Sequence, residues 1–180
     1  LHHIECLYKA ANSNLHIVPY ALDKEQHTKN IYVPFFSDNA SLYKDVSIGN
    51  LSENSVNIQV CECISFDIWL CDNSYVDTSK IRFIKIDVQG NEYNVLLGMK
   101  NFLINSHQEL YIFYETDDKL AQMVENDQLS KIKLYLIHCG FEEITSQSLD
   151  DYGKKTAGLQ VYLGTNALFV KNIDKTNKLT

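Results

Sequence analysis

The stretch whose reading decides the fold is IKIDVQGNEYNVLLG, residues Ile84 to Gly98. Its first half is apolar and β-branched. The run extends back to Ile81 and is interrupted only by Arg82, Lys85 and Asp87. A continuous apolar run of this length reads as a central strand of a parallel sheet, covered on both faces. Gly90 breaks it, and from Asn91 to Asn105 the apolar period becomes helical, with Leu96, Met99 and Leu103 on one face and Val95 and Phe102 beside it. Gly98 inside that helix costs about 1 kcal/mol relative to Ala, so a close backbone contact is expected there.

Toward the C-terminus, Leu110 to Glu115 (LYIFYE) reads as the next strand. Leu129, Ile132, Leu136 and Cys139 mark a helix that Gly140 is placed to end. Phe141 to Thr145 and Ala167 to Lys171 read as two closing strands without a helix between them, joined by a turn-rich segment, Gly153 to Gly164. Toward the N-terminus, Ser65 can cap a short helix carrying Ile68, Trp69 and Leu70. Val56 to Ile64 alternates, with Val56, Ile58 and Val60 on the face expected to be half-buried, and is expected to pair with Asn30 to Phe35 as an antiparallel ribbon. Phe36 to Glu53 reads as a long loop and Asp23 to Lys29 as a polar turn. Leu15 to Leu22 reads as a strand whose exit Pro19 makes irregular. Ile4, Leu7, Tyr8 and Ala11 have helical spacing, closed by Asn12-Ser13-Asn14. Strands alternating with helices give a doubly wound α/β class, mostly parallel with an antiparallel edge.

The chain has 180 residues, which fits one domain over residues 1–171 followed by a polar tail, 172–180. A net charge of −7 with scattered basic residues argues against a nucleic-acid partner. No apolar run reaches the length of a membrane span. The five cysteines, Cys6, Cys61, Cys63, Cys71 and Cys139, are odd in number and irregularly spaced, so they form no disulfide framework. Cys61 and Cys63 share a strand face. Without a partner at ligand spacing nearby in sequence they read as buried thiols rather than a zinc pair, and no metal site is expected. Reduced thiols suit a cytosolic setting. The triplets Asn39-Ala40-Ser41 and Asn50-Leu51-Ser52 do not decide the compartment.

In open α/β sheets ligands bind beyond the carboxyl ends of the strands. That rule selects Asp87 at the end of the most apolar strand, Glu92 in the first helical turn, and Glu115 at the end of the next strand, with Asp117 and Asp118 beyond. Acids meeting at one crevice suit a general base, a clamp on a substrate hydroxyl, or a hard cation. Each also has a purely structural reading. Glu92 would favour a helix N-terminus, Asp87 would accept N–H groups of the turn at Gln89 to Asn91, and Asp117 and Asp118 would cap a following helix. The histidines, including His107 and His138, are dispersed, and there is no P-loop, G-x-G-x-x-G or G-x-S-x-G.

With these segments in order, the chain resembles the FkbM-type S-adenosylmethionine-dependent methyltransferases. Their hallmark has the form I-K-I-D-V-E-G-x-E-x-x-V-L-x-G, and Ile84 to Gly98 departs from it only at Gln89. Val18 to Asp23 resembles the family's A-L-G-D stretch, Asn39 to Leu42 its Ser-rich loop, and Ser65-Phe66-Asp67 the Thr-Leu-Asp before the hallmark. The resemblance implies a Rossmann-like class I sheet and methyl transfer to an oxygen, a hydroxyl of a sugar, lipid or natural product. It implies S-adenosylmethionine as cofactor, with Asp87, Glu92 and Glu115 in the catalytic site and Leu22 and Asp23 near the adenine. Family members open with two strands bearing a Gly-rich turn and a ribose-binding acid. Leu1 falls at about the helix that follows them, so a partial domain lacking its first two strands is expected. Two other readings stand beside the enzyme: a non-catalytic remnant of the fold, and an α/β glycan-binding module using the loop Phe36 to Glu53.

Overall fold

The computed structural model describes residues 16–35, 40–48, 56–116, 122, 124, 125, 127–144 and 166–172. The readings placed on the N-terminal helix, on Asp117 and Asp118, and on Gly153 to Gly164 lie outside them. The described elements are β1 (Ala21–Leu22), β2 (His27–Pro34), α1 (Lys44–Ile48), β3 (Val56–Ile64), α2 (Phe66–Asp72), a 3₁₀ turn (Thr78–Lys80), β4 (Phe83–Ile86), α3 (Glu92–Leu97), α4 (Lys100–Asn105), β5 (Leu110–Glu115), α5 (Gln128–His138), β6 (Glu142–Ile144) and β7 (Asn166–Lys171).

The class is mixed α/β, with two sheets rather than one. The first runs β1-β3-β2 and the second β4-β5-β7-β6. β1 is parallel to β3 and β4 to β5, while β2 with β3, β5 with β7 and β6 with β7 are antiparallel. The expectation of a mostly parallel sheet is therefore corrected. The antiparallel closing pair, β6 and β7, is present as expected.

The core lies between the second sheet and its helices. Leu96 and Leu103 of α3 and α4, Leu110 and Ile112 of β5, Ile132 and Leu136 of α5, and Phe169 of β7 are all fully buried. Local chemistry sets several boundaries as read. Ser65 Oγ accepts the Ile68 N–H at 3.2 Å and starts α2. Gly140, at φ 88°, ends α5, and the Phe141 N–H returns to the Leu136 carbonyl at 3.0 Å.

Other boundaries moved. The strand expected over Leu15 to Leu22 contracts to Ala21–Leu22, beyond Pro19, and β2 begins at His27 inside the expected polar turn because its register continues to Cys63. The loop after Phe35 contains α1. The helix from Asn91 to Asn105 is two helices. Asp67 accepts the N–H groups of Asn101 and Phe102 at 2.8 and 3.0 Å, starting a second helix after Gly98. A Cβ on Gly98 would lie 2.2 Å from the Asp23 carbonyl oxygen, which is the close backbone contact its presence implied. The strand expected at the centre, β4, lies at the edge of the described sheet, and its Phe83 is 58% exposed. The apolar face expected to be half-buried on β3 is open, with Ile58 56% and Val60 75% exposed.

Candidate functional site

The sharp turn between β4 and α3 organises the carboxyl end of the second sheet. Gln89 and Gly90 both have positive φ, 51° and 102°. Gly90 needs its missing side chain twice over. A Cβ there would be strained by φ and would sit 2.7 Å from Val124 Cγ2. Glu92 is buried and accepts the N–H groups of Val88 and Gly90 at 3.3 and 3.1 Å, so it closes the turn from inside. Burial raises its pKa, against the pull of these backbone N–H groups.

Asp87 lies on the outer side of the same turn. It accepts from Lys85 Nζ at 2.8 Å and from Gln89 Nε2 at 3.1 Å. The Lys85 ammonium, foremost, holds its carboxyl below the usual range. Gln89 Nε2 also donates to Glu115 Oε2 at 3.0 Å. One amide thus joins the acids at the ends of β4 and β5. The N–H groups of Val88 and Gly90 go to Glu92, while Asp87 accepts from the side chains of Lys85 and Gln89, which corrects the structural reading given to Asp87. Asp87 and Glu115 come together. Glu92 faces inward, and the three acids form no metal-ligating group among the described residues.

Further polar residues pack on this turn, and local sequence did not mark them as a group. Ser41 Oγ donates to the Gln89 carbonyl at 2.6 Å and accepts the Tyr43 N–H at 3.1 Å. Tyr43 Oη donates to Asn91 Oδ1 at 3.3 Å, and Asn94 Nδ2 donates to both, at 3.2 and 2.9 Å. Gln128 Nε2, from α5, donates to the Gly90 carbonyl at 3.1 Å. The only sequence signal among these was Ser41, inside the Ser-rich stretch Asn39 to Leu42.

Leu22 and Asp23 sit on the other side of this network. Asn91 Nδ2 donates to the Leu22 carbonyl at 3.0 Å, and the Asp23 N–H donates to the Ile64 carbonyl at 3.0 Å. The buried Asp23 carboxylate accepts the Lys24 N–H at 2.7 Å and Lys29 Nζ at 2.8 Å, with His27 Nε2 at 3.1 Å. Burial pushes its pKa up, but these donors outweigh that and leave it below the ordinary value. Both residues are tied into the fold by these bonds.

A cavity of about 590 Å³ opens elsewhere, lined by residues such as Asp67, Thr78, Asn105 and Gln108. Those residues precede β4 and β5, so it lies at the amino ends of the strands, away from Asp87.

The turn, the strand-end acids and the Ser-containing loop packed on them can be compared with known families. A family model described as "Methyltransferase FkbM domain" matches residues 7–143. The chain belongs to the FkbM methyltransferase family. No curated protein and no solved structure matches it. Within this FkbM domain the matched span takes in β1 to β5, the whole β4–α3 turn and α5, and ends in β6. No described helix is long and apolar enough to cross a membrane.

Proposed function

We propose that this FkbM domain transfers a methyl group from S-adenosylmethionine to a hydroxyl oxygen of a sugar, lipid or natural product. The observation that carries the reading is the Asp87–Gln89–Glu115 bridge at the carboxyl ends of β4 and β5, where ligands of open α/β sheets bind. The strand order β4-β5-β7-β6, with β7 antiparallel, supports a class I methyltransferase arrangement of this half of the sheet. The cofactor would supply an electrophilic methyl for in-line displacement.

The chain's own part is positioning. Asp87 carries a carboxylate that Lys85 keeps ionised, and Gln89 fixes its direction. It can accept the acceptor's hydroxyl hydrogen bond and orient the oxygen, with Glu115 beside it. Its carboxyl is held below the usual range by Lys85, so it meets the acceptor as a carboxylate. Glu92 acts through the turn, which it holds by two backbone hydrogen bonds. Asp87→Asn should lower turnover by roughly 10²-fold while the thermal melt is unchanged. Wild-type turnover in that variant would remove Asp87 from the site.

A second reading, a fold retained without cofactor binding, is favoured by the commitment of Leu22 and Asp23 to internal bonds. Calorimetric titration of the full-length protein with S-adenosylmethionine separates the two: saturable binding supports the enzyme, and its absence supports the remnant.

A further inference from the structure

The corner between β1, the start of β2 and the end of β3 holds a second cluster of chemically capable groups. Asp23, His27 and Cys63 each present one ligand atom, and these atoms all lie within 4.8 Å of one another. Asp23 and Cys63 are buried and His27 is three-quarters covered. His27 Nε2 is buried yet makes no aligned hydrogen bond, although it approaches Asp23 Oδ2 to 3.1 Å. A buried imidazole nitrogen that meets a carboxylate without hydrogen-bond alignment is uncommon, and a cation between the two would satisfy both. Cys61 and Cys63, taken as a pair in sequence, had no partner at ligand spacing. The antiparallel register supplies one by setting His27 opposite Cys63.

We propose that Asp23, His27 and Cys63 form a binding site for a single Zn²⁺ ion. A carboxylate, an imidazole and a thiolate are the donor set of a borderline-soft cation that accepts tetrahedral geometry. Tetrahedral zinc with such ligands has edges of roughly 3.3–3.6 Å. The His27–Asp23 approach, at 3.1 Å, is slightly shorter than this, and all three ligand atoms lie within 4.8 Å of one another, so modest side-chain shifts bring the set to it. Binding releases the Cys63 thiol proton to solvent, and the thiolate together with the Asp23 carboxylate then balances the divalent charge, which a buried site requires. The competitor is Lys29, whose Nζ lies 2.8 Å from Asp23 Oδ2. Its side chain is 38% exposed and can withdraw to solvent when the ion takes its place. A bound ion would tie β1, β2 and β3 together at the point where the Asp23 carbonyl meets Gly98. It would therefore act as a structural staple, separate from the Asp87–Glu115 pair.

The test uses the full chain, stripped with chelator and titrated with Co²⁺. One equivalent should produce a near-ultraviolet thiolate-to-cobalt band and intense visible bands of tetrahedral cobalt, both removed by Zn²⁺. Cys63→Ser should lose the thiolate band. Zn²⁺ should raise the wild-type Tm, and His27→Ala, a change at a partly exposed side chain, should weaken Zn²⁺ binding at least about tenfold and lose that rise. Absence of the thiolate band in the wild type, its persistence in Cys63→Ser, or an undiminished Zn²⁺ effect in His27→Ala would overturn the site. Should Cys63→Ser fail to fold, the His27→Ala comparison decides alone.

Discussion

The β2–β3 ribbon and the β5 strand start from similar sequence patterns and end in opposite environments. β5 buries Leu110, Ile112 and Tyr114 on one face, under α3, α4 and α5. β3 also alternates, yet Ile58 and Val60 on its apolar phase face outward, and only Cys63 and Ile64 at its end are buried. The difference teaches that alternation specifies a strand and a face, while burial needs a covering layer. β5 has helices whose apolar stripes match it, and among the described residues the ribbon's apolar face has none.

The sharpest way to break this comparison is to make one change in both places. Ile112→Thr should cost about 2–4 kcal/mol, from lost packing and a buried hydroxyl. Ile58→Thr should stay within about 0.5 kcal/mol, since it keeps β-branching at an exposed site. Urea denaturation of the two variants measures this, and equal losses would mean that the ribbon face is covered in solution.

Gly98→Ala probes the joint between the two sheets. Its added carbon meets the Asp23 carbonyl, backbone rather than a mobile side chain, so a loss of about 1–3 kcal/mol is expected. A neutral effect in the same denaturation series would show that the sheets move apart freely.

The smallest effect concerns Glu92→Gln. An amide oxygen can still accept the Val88 and Gly90 N–H groups, so the stability at neutral pH should change by less than about 1 kcal/mol. Glu92 has a raised folded-state pKa. The folded state therefore binds more protons between the ordinary carboxyl value and the raised one. Its contribution is fully present below that window and is lost as pH rises through it. Glu92→Gln should flatten this slope in pH-dependent melts. An unchanged slope would assign the titration to another group.

The hallmark stretch gave a strand, a Gly turn and a helix start because these follow from local backbone chemistry. Gly90 occupies a left-handed position, Ser65 begins α2, and Gly140 stops α5, each through bonds to residues close in sequence. The site was legible in part for the same reason. Asp87 and Glu115 were found as strand-end acids, but their link through Gln89 depends on β4 and β5 being neighbours. Gln89 had stood out only as a departure from the family pattern. Leu22 and Asp23 were selected by resemblance, and their closure by Asn91, Lys24 and Lys29 could not be read from it.

By itself, then, the sequence determined the family, most of the strands and helices, and the identity of the turn. These rest on backbone preferences and apolar periods spanning a few residues. Tertiary structure alone decided that the strands form two sheets and that β3 leaves an apolar face open. It also decided that one helix becomes two, and that Asp23, His27 and Cys63 meet. Each of these depends on which distant segment arrives to cover, cap or crowd a residue, and no local pattern encodes that arrival.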